Sequence, residues 1–429
     1  MRSSNLSVIH LATQDIMGGG AFTASRRLHQ AFLENDVSSQ MYVSSKKSDL
    51  HTVVGNSKTK FQKLQGTVKL QLAAQIMRLQ NSPNLTLHSP AIFPSGLTKK
   101  LNAASVDILH LHWFLNEFIS IEEIGRFTKP LVWTLYDMWP FSGAEHYDDD
   151  GLAARWRVGY QSNNRPPGHK GIDIDRWVWS RKFRAWKVPI HVIAPTQWMA
   201  DCARNSVLMR NWPISIIPYS LDTTRFSPCS KVMARKLLGL PQGKQIVLFG
   251  AVGGGQNPRK GWDLLQSAMT QLSKQMSDLV AVVFGESEPK SPPRLGMQIY
   301  WMGHIYDEIT LALLYSAADV MVVPSRQEAF GQTGSEAQSC GCPVVAFNAS
   351  GLSSVVVHRE TGYLAIPFEV DDLARGIAWV LGDVDRSSHL SQQARDRAVR
   401  IWTNEVIVKQ HVALYEQMID EAATQIQIV

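Results

Sequence analysis

Two glutamates eight positions apart, Glu328 and Glu336, lie in the segment VMVVPSRQEAFGQTGSEAQSCGCPVVAF, Val320 to Phe347. A buried strand ending at Pro324 leads into a loop that carries Glu328, Phe330 and Gly331. A helix is expected from near Gln332, with Glu336 in its first turns, and a second buried strand follows. The amides at such a helix start can hold a diphosphate. Gly331 lets the backbone approach a sugar closely. Glu328 can accept hydrogen bonds from sugar hydroxyls and Glu336 from a ribose. The plainer alternative is a helix start with two surface glutamates.

A second segment with chemistry is FGAVGGGQNPRKGWDLL, Phe249 to Leu265. After a strand, the loop presents Arg259 and Lys260 just before a helix. Paired cations there suit a pyrophosphate leaving group, whose charge must be stabilised as its bond breaks. An exposed basic turn is the alternative.

The two glutamates with Phe-Gly between them and Gly-Cys-Pro-Val-Val after them resemble the donor-site motif of glycosyltransferase family 4. The Pro-Arg-Lys-Gly order resembles its exopolysaccharide, colanic-acid-type subgroup. The resemblance implies the GT-B fold, α/β with two Rossmann-like doubly wound domains facing a central cleft. It also implies retaining transfer from a UDP- or GDP-linked sugar to a growing glycan or lipid-linked acceptor. The donor would sit mainly on the C-terminal domain and the acceptor mainly on the N-terminal one. No cofactor and no metal cluster such as Asp-x-Asp is needed, because the cations are side chains. The family usually places an arginine about five residues before the lysine; here Gly255 stands there.

The first half carries further candidates. In MGGGAFTASRRLHQAF, Met17 to Phe32, Gly18, Gly19 and Gly20 sit at a strand-to-helix turn whose amides can approach phosphate or acceptor. The third glycine of a dinucleotide fingerprint is missing, and no strand-end acid follows about 20 residues on. In DILHLHW, Asp107 to Trp113, His110 and His112 share one strand face, with His112 at the carboxyl end. A satisfied core histidine is the alternative to a sugar contact. In WTLYDMWPFSGAEHY, Tyr136 stands where many family members carry a histidine. It can still donate one hydrogen bond. The resemblance implies that Asp137 meets an acceptor hydroxyl and that Tyr136 and His146 lie on the acceptor side. The subgroup's related segment also tends to carry cysteines before DIDRWVWSRK, Asp173 to Lys182; this chain has none there.

Strands at Val8–Leu11, Met41–Val43, Asp107–Trp113, Leu131–Leu135, His191–Thr196 and Ile214–Ser220 alternate with helix-length segments. The pattern restarts at Gln245–Gly250, Leu279–Phe284, Gln298–Met302, Asp319–Pro324 and Pro343–Phe347. Domains are therefore expected over 1–222 and 223–405, with a final helix, about 406–429, able to pack back on the first. A chain of 429 residues suits two domains of roughly 200 residues each.

Composition excludes other classes. The 45% apolar and 19% charged content is that of a globular protein. No apolar run approaches the roughly 18 residues a membrane span needs. The apolar stretch at the N-terminus is too short for a signal peptide, so a cytoplasmic protein with reduced thiols is expected. Cys340 and Cys342 lack the second pair a zinc site would need. From Leu50 to Val106 there is no Asp or Glu against seven Lys and Arg. Within it, residues 59–80 space apolar residues by three and four, with Lys60, Lys63, Lys69 and Arg78 outside or flanking the stripe. This fits a peripheral helix on the anionic inner face of a membrane, or a core-packed surface helix. No nucleic-acid module is recognisable. An epimerase of the same fold and a non-catalytic nucleotide-sugar-binding partner are the competing functions.

Overall fold

A computed structural model describes residues 6–16, 19–55, 60–250, 253, 255 and 257–428, with the backbone alone for 60–63 and 425–428. The chain divides into two compact units, residues 1–218 with 408–429, and residues 219–407.

In the first unit the strands are β1 (Ser7–Gln14), β2 (Ser38–Ser45), β3 (Val53–Gly55), β4 (Gln80–Asn81), β5 (Ile108–Leu111), β6 (Leu131–Thr134), β7 (Lys170–Gly171), β8 (His191–Ala194) and β9 (Ile214–Ile216). Seven of them form a sheet in the order β3-β2-β1-β5-β6-β8-β9, parallel at every pairing. β5 (ILHL) and β6 (LVWT) are buried at every position. Parallel strands covered on both faces need such unbroken, largely apolar runs. The order reverses between β1 and β5, the place where open α/β sheets leave room beyond the strand ends. β4 and β7 make a separate antiparallel ribbon. The helix Gly20–Glu34 buries Phe22, Leu28, Ala31 and Phe32. Residues 408–428 of the helix Asn404–Ile428 belong to this unit, and Tyr415 Oη lies 2.7 Å from His110 Nδ1.

The second unit has β10 (Gln245–Gly250), β11 (Leu279–Phe284), β12 (Ile299–Trp301), β13 (Val320–Val323), β14 (Val344–Phe347) and β15 (Gly362–Ala365). They form a sheet in the order β12-β11-β10-β13-β14-β15, again parallel throughout. Its core packs Val247, Phe249, Val322 and Val345 with Leu265 and Met269 of the helix Trp262–Leu272. Leu373, Ile377 and Val380 of the helix Val370–Leu381 join them at the spacing of one helix face. Four strands are absent from the sequence reading: β3, β15 and the two-residue β4 and β7. β3 is only three residues long. β15 begins at Gly362, where a Cβ would lie 1.9 Å from Val344 O, so close pairing selects glycine over a strand-forming residue.

Candidate active site

In the second unit, the loops after β10 and β13 bring the predicted cations and the first glutamate together. Asn257 accepts from the Arg259 amide and caps the short turn Pro258–Lys260. Gly261 closes that turn with φ 68°, and a Cβ there would meet Pro324 O at 1.9 Å. The turn therefore lies directly against the end of β13. Lys260 Nζ donates to Glu328 Oε1 at 2.5 Å, Arg259 Nη1 lies 3.4 Å from Oε2, and Ser325 Oγ donates to Oε1 at 2.9 Å. Arg259 also donates to the Gln327 carbonyl at 2.5 Å.

Burial by itself would raise the pKa of Glu328. The Lys260 and Arg259 charges and the hydrogen bonds from Lys260 and Ser325 outweigh it and hold the carboxyl down at about 2. Burial pulls Lys260 below the usual lysine value while Glu328 opposes the shift. Glu328 is therefore ionised at neutral pH, held between two basic side chains. The side chains of Lys260 and Glu328 keep 21% and 12% of their surface exposed, so a ligand can reach them.

Gly331 has φ 96° and begins the helix Gln332–Ser339, whose first turn receives no side-chain cap from it. A Cβ at Gly331 would press on Leu352 at 2.7 Å. Phe330, expected on the donor side, has its ring in the core. It is buried, packed on Tyr219 and Trp402, and what it can offer a ligand is its backbone. Glu336 is buried, and its Oε2 accepts from Tyr315 at 2.7 Å, so any ribose would meet a carboxylate already held in place. Gly255, in the position of the family's arginine, donates its amide to Glu286 Oε2 at 2.8 Å.

Sequence reasoning missed Ser325, Ser350 and Gly351. Ser350 Oγ accepts from the Glu328 amide at 2.9 Å, and the Gly351 amide donates to the Glu328 carbonyl at 2.8 Å. A Cβ at Gly351 would lie 2.4 Å from Ala329 O. Ser-Gly soon after the buried strand β14 was the available signal.

In the first unit, Gly19 (φ 124°) precedes the helix that starts at Gly20, and nothing lies within 4 Å of where its Cβ would be. Gly18 lies outside the described residues. His112, Trp113, Tyr136, Asp137 and Trp139 line a small hollow beyond β5 and β6. Three residues expected to meet ligands here are already engaged by the protein. Both ring nitrogens of His112 are engaged, Nδ1 with Tyr136 Oη at 2.9 Å and Nε2 with His10 Nδ1 at 2.8 Å. Asp137 Oδ2 accepts from the Trp113 indole at 2.9 Å and pairs with His146 Nδ1 at 2.5 Å, while Oδ1 accepts from the Trp139 amide at 3.1 Å. Buried and so held, Asp137 fixes its loop. His146 spends its other nitrogen on Ser89 Oγ at 2.9 Å.

Behind the hollow, His10, His29, His110, His112 and His411 gather in the core. Burial first, then His411 and His29, push His112 down to about 3, so it is neutral and hydrogen-bonding. Burial raises the Tyr136 hydroxyl well above its ordinary value, so it stays protonated. Only His110 and His112 were visible from strand periodicity.

Comparison with known proteins bears on the family and the fold. The family model "Glycosyl transferases group 1" matches residues 234–397. A D-inositol 3-phosphate glycosyltransferase of Nocardia farcinica is 34% identical over 304 residues, 67% of this chain and 61% of the relative. Another, from Catenulispora acidiphila, is 34% identical over 202 residues, 44% of this chain and 47% of the relative. The chain thus spans about half the length of that relative. Among solved structures, sucrose-phosphate synthase of Thermosynechococcus elongatus superposes with a TM-score of 0.69 at 19% identity, covering 97% of this chain and 100% of that one. HepE of Anabaena, in complex with UDP and glucose, gives 0.64 at 16% identity over 96% and 100% of the two chains. At such identities these structures carry the fold alone.

Proposed function

The chain belongs to the group 1 glycosyl transferases and has their GT-B fold, and from that premise we propose that it transfers a sugar from a UDP- or GDP-linked donor with retention at the anomeric carbon. The acceptor is a growing glycan or a lipid-linked acceptor in polysaccharide biosynthesis. The observation that carries this reading is the cluster of Arg259, Lys260 and Glu328 beside the uncapped helix start at Gly331.

Breaking the glycosyl bond leaves negative charge on the departing diphosphate. Arg259, Lys260 and amides at the start of the helix Gln332–Ser339 would meet that charge. Glu328 orients the sugar, and Glu336, steadied by Tyr315, takes the ribose. In the first unit Tyr136 faces the acceptor, while Asp137 and His146 hold its loop in shape.

Labelled nucleotide sugars incubated with the protein and an extract of membrane lipids test the proposal. Label moving to lipid supports it. Interconversion to another free sugar would make the protein an epimerase, and binding without either would make it a non-catalytic partner. Because relatives are named for D-inositol 3-phosphate, an inositol phosphate belongs in the same acceptor panel.

We place the protein at the cytoplasmic face of an anionic membrane. No described helix is long and apolar enough to cross one. The helix Lys60–Met77 exposes Leu64, Val68 and Leu72, spaced by four, and turns Ala73 inward. These exposed apolar residues, in a stretch with no acid from 50 to 106, favour lipid over a core-packed face. The protein should sediment with anionic vesicles and be released by salt. Leu64→Gln with Leu72→Gln should abolish sedimentation. Full retention by that double variant would return the helix to a purely structural role.

A further inference from the structure

A second cluster of ionisable groups lies in the first unit, apart from the residues assigned above to ligands. His88 follows β4, Glu145 lies in the loop after β6, and Asp175 is in the first turn of the helix Ile174–Ala185. One atom from each, His88 Nε2, Glu145 Oε2 and Asp175 Oδ1, is buried without a hydrogen-bond partner. The ligand atoms the three residues offer lie within 4.8 Å of one another. Glu145 and Asp175 are only 3% and 4% exposed.

The remaining polar atoms of the trio are each held. His88 Nδ1 lies 2.8 Å from the Thr86 carbonyl, which can only accept, so Nδ1 carries the proton and Nε2 presents a lone pair. Asp175 Oδ2 accepts from Gln80 Nε2 at 2.6 Å. Gln80 is oriented in turn by the Ile174 and Asp175 amides, which donate to its Oε1. Glu145 Oε1 accepts from the Tyr160 hydroxyl and, at 3.3 Å, from the Gly143 amide. Three unpartnered acceptor atoms therefore lie within reach of one another, each on a group held by a partner at its other polar atom. A metal-binding histidine has this arrangement, its second nitrogen donating to a carbonyl or carboxylate.

We propose that His88, Glu145 and Asp175 bind one divalent transition-metal ion of the zinc class, with water as the fourth ligand. Imidazole with carboxylates selects such an ion over calcium or magnesium. Ligands about 2.1 Å from a tetrahedral ion lie about 3.4 Å from each other; His88 Nε2 and Asp175 Oδ1 are already 3.8 Å apart. A shared proton could relieve the two carboxylates, yet it would leave one of the three lone pairs unmet. Nearby, Lys182 Nζ is occupied by the carbonyls of Trp139, Ser142 and Gly143, and Arg155 is paired with Asp173. The ion is structural. It ties the strand-linking loop, the Glu145 loop and the helix start together, immediately beside His146, which braces Asp137. The sequence reading needed no metal because Arg259 and Lys260 supply the cations for transfer, and these three residues come from distant stretches with no short-range ligand spacing. The inference stands independently of the proposed transfer activity.

The test uses the full chain, stripped with a chelator and titrated with zinc(II) against a chromophoric competitor, with metal content measured by mass spectrometry. One zinc per chain and a raised thermal midpoint are expected. Glu145→Gln and the rim variant His88→Gln, each checked for fold by circular dichroism, should weaken binding by about a hundredfold or more. No binding at tens of micromolar zinc, or undiminished binding by folded His88→Gln and Glu145→Gln, would overturn the proposal. The second outcome would place the ion elsewhere, for example on His10, His110 and His112.

Discussion

Glu328→Ala should lower sugar transfer by about a hundredfold or more, the scale of one preorganised contact in a transition state. Its affinity for a nucleoside diphosphate should stay level or rise. Glu328 neutralises Lys260 at 2.5 Å and approaches Arg259 at 3.4 Å, so removing it leaves both cations to an incoming diphosphate. Lys260→Ala should behave differently. It removes a charge that both donor and nucleotide product would meet, at about 1.5–3 kcal/mol for a charge-assisted hydrogen bond. Nucleotide affinity should fall roughly tenfold to a hundredfold, and transfer should fall with it. Calorimetric titration with the diphosphate, followed by transfer at saturating donor, makes the comparison. Thermal midpoints for each variant separate these effects from loss of fold. If Glu328→Ala loses nucleotide affinity while Lys260→Ala keeps it, the two roles are reversed.

Asp137→Ala should destabilise the first unit far more than Tyr136→Phe. Asp137 is the buried acceptor for the Trp113 indole, His146 and the Trp139 amide. Each donor left unsatisfied costs about 1–3 kcal/mol, for a loss of roughly 3–9 kcal/mol from the three together. Such a loss is a large part of a domain's total of about 5–15 kcal/mol. Tyr136→Phe removes a single hydroxyl partnered by His112, about 0.5–1.5 kcal/mol. Urea unfolding of the two variants beside the parent protein measures the difference. Equal stability of the two would mean that Asp137 is not the brace its contacts describe.

These contacts also explain what could be read in the amino-acid order and what could not. β10 and β11 were legible because QIVLFG and LVAVVF are short apolar runs bounded by polar turns. The donor-side residues were legible because strand end, loop and helix start are contiguous in Val320–Phe347. Their pairing was not. Lys260 and Glu328 are 68 residues apart, and only the parallel pairing of β10 with β13 carries their loops to the same edge of the sheet. The same limit hid the buried histidines. His10 reaches His112 because β1 pairs with β5, and His411 arrives on the last helix. Asp137 and His146 were recognised as important, but chemistry was assigned to atoms that packing had already engaged. A side chain's type is visible in sequence; whether its polar atoms face a ligand or the protein is decided by neighbours brought in from elsewhere.

Arg259, Lys260 and the helix start at Gly331 are proposed to seat a nucleotide's diphosphate, with Glu328 turned to the sugar. Amide hydrogen exchange of the full chain, with and without saturating UDP and then GDP, addresses it most directly. Protection is predicted over residues 257–262 and 325–336 with at least one of the two nucleotides. Nucleotide binding that protects only residues of the first unit, with both stretches unchanged, would contradict it.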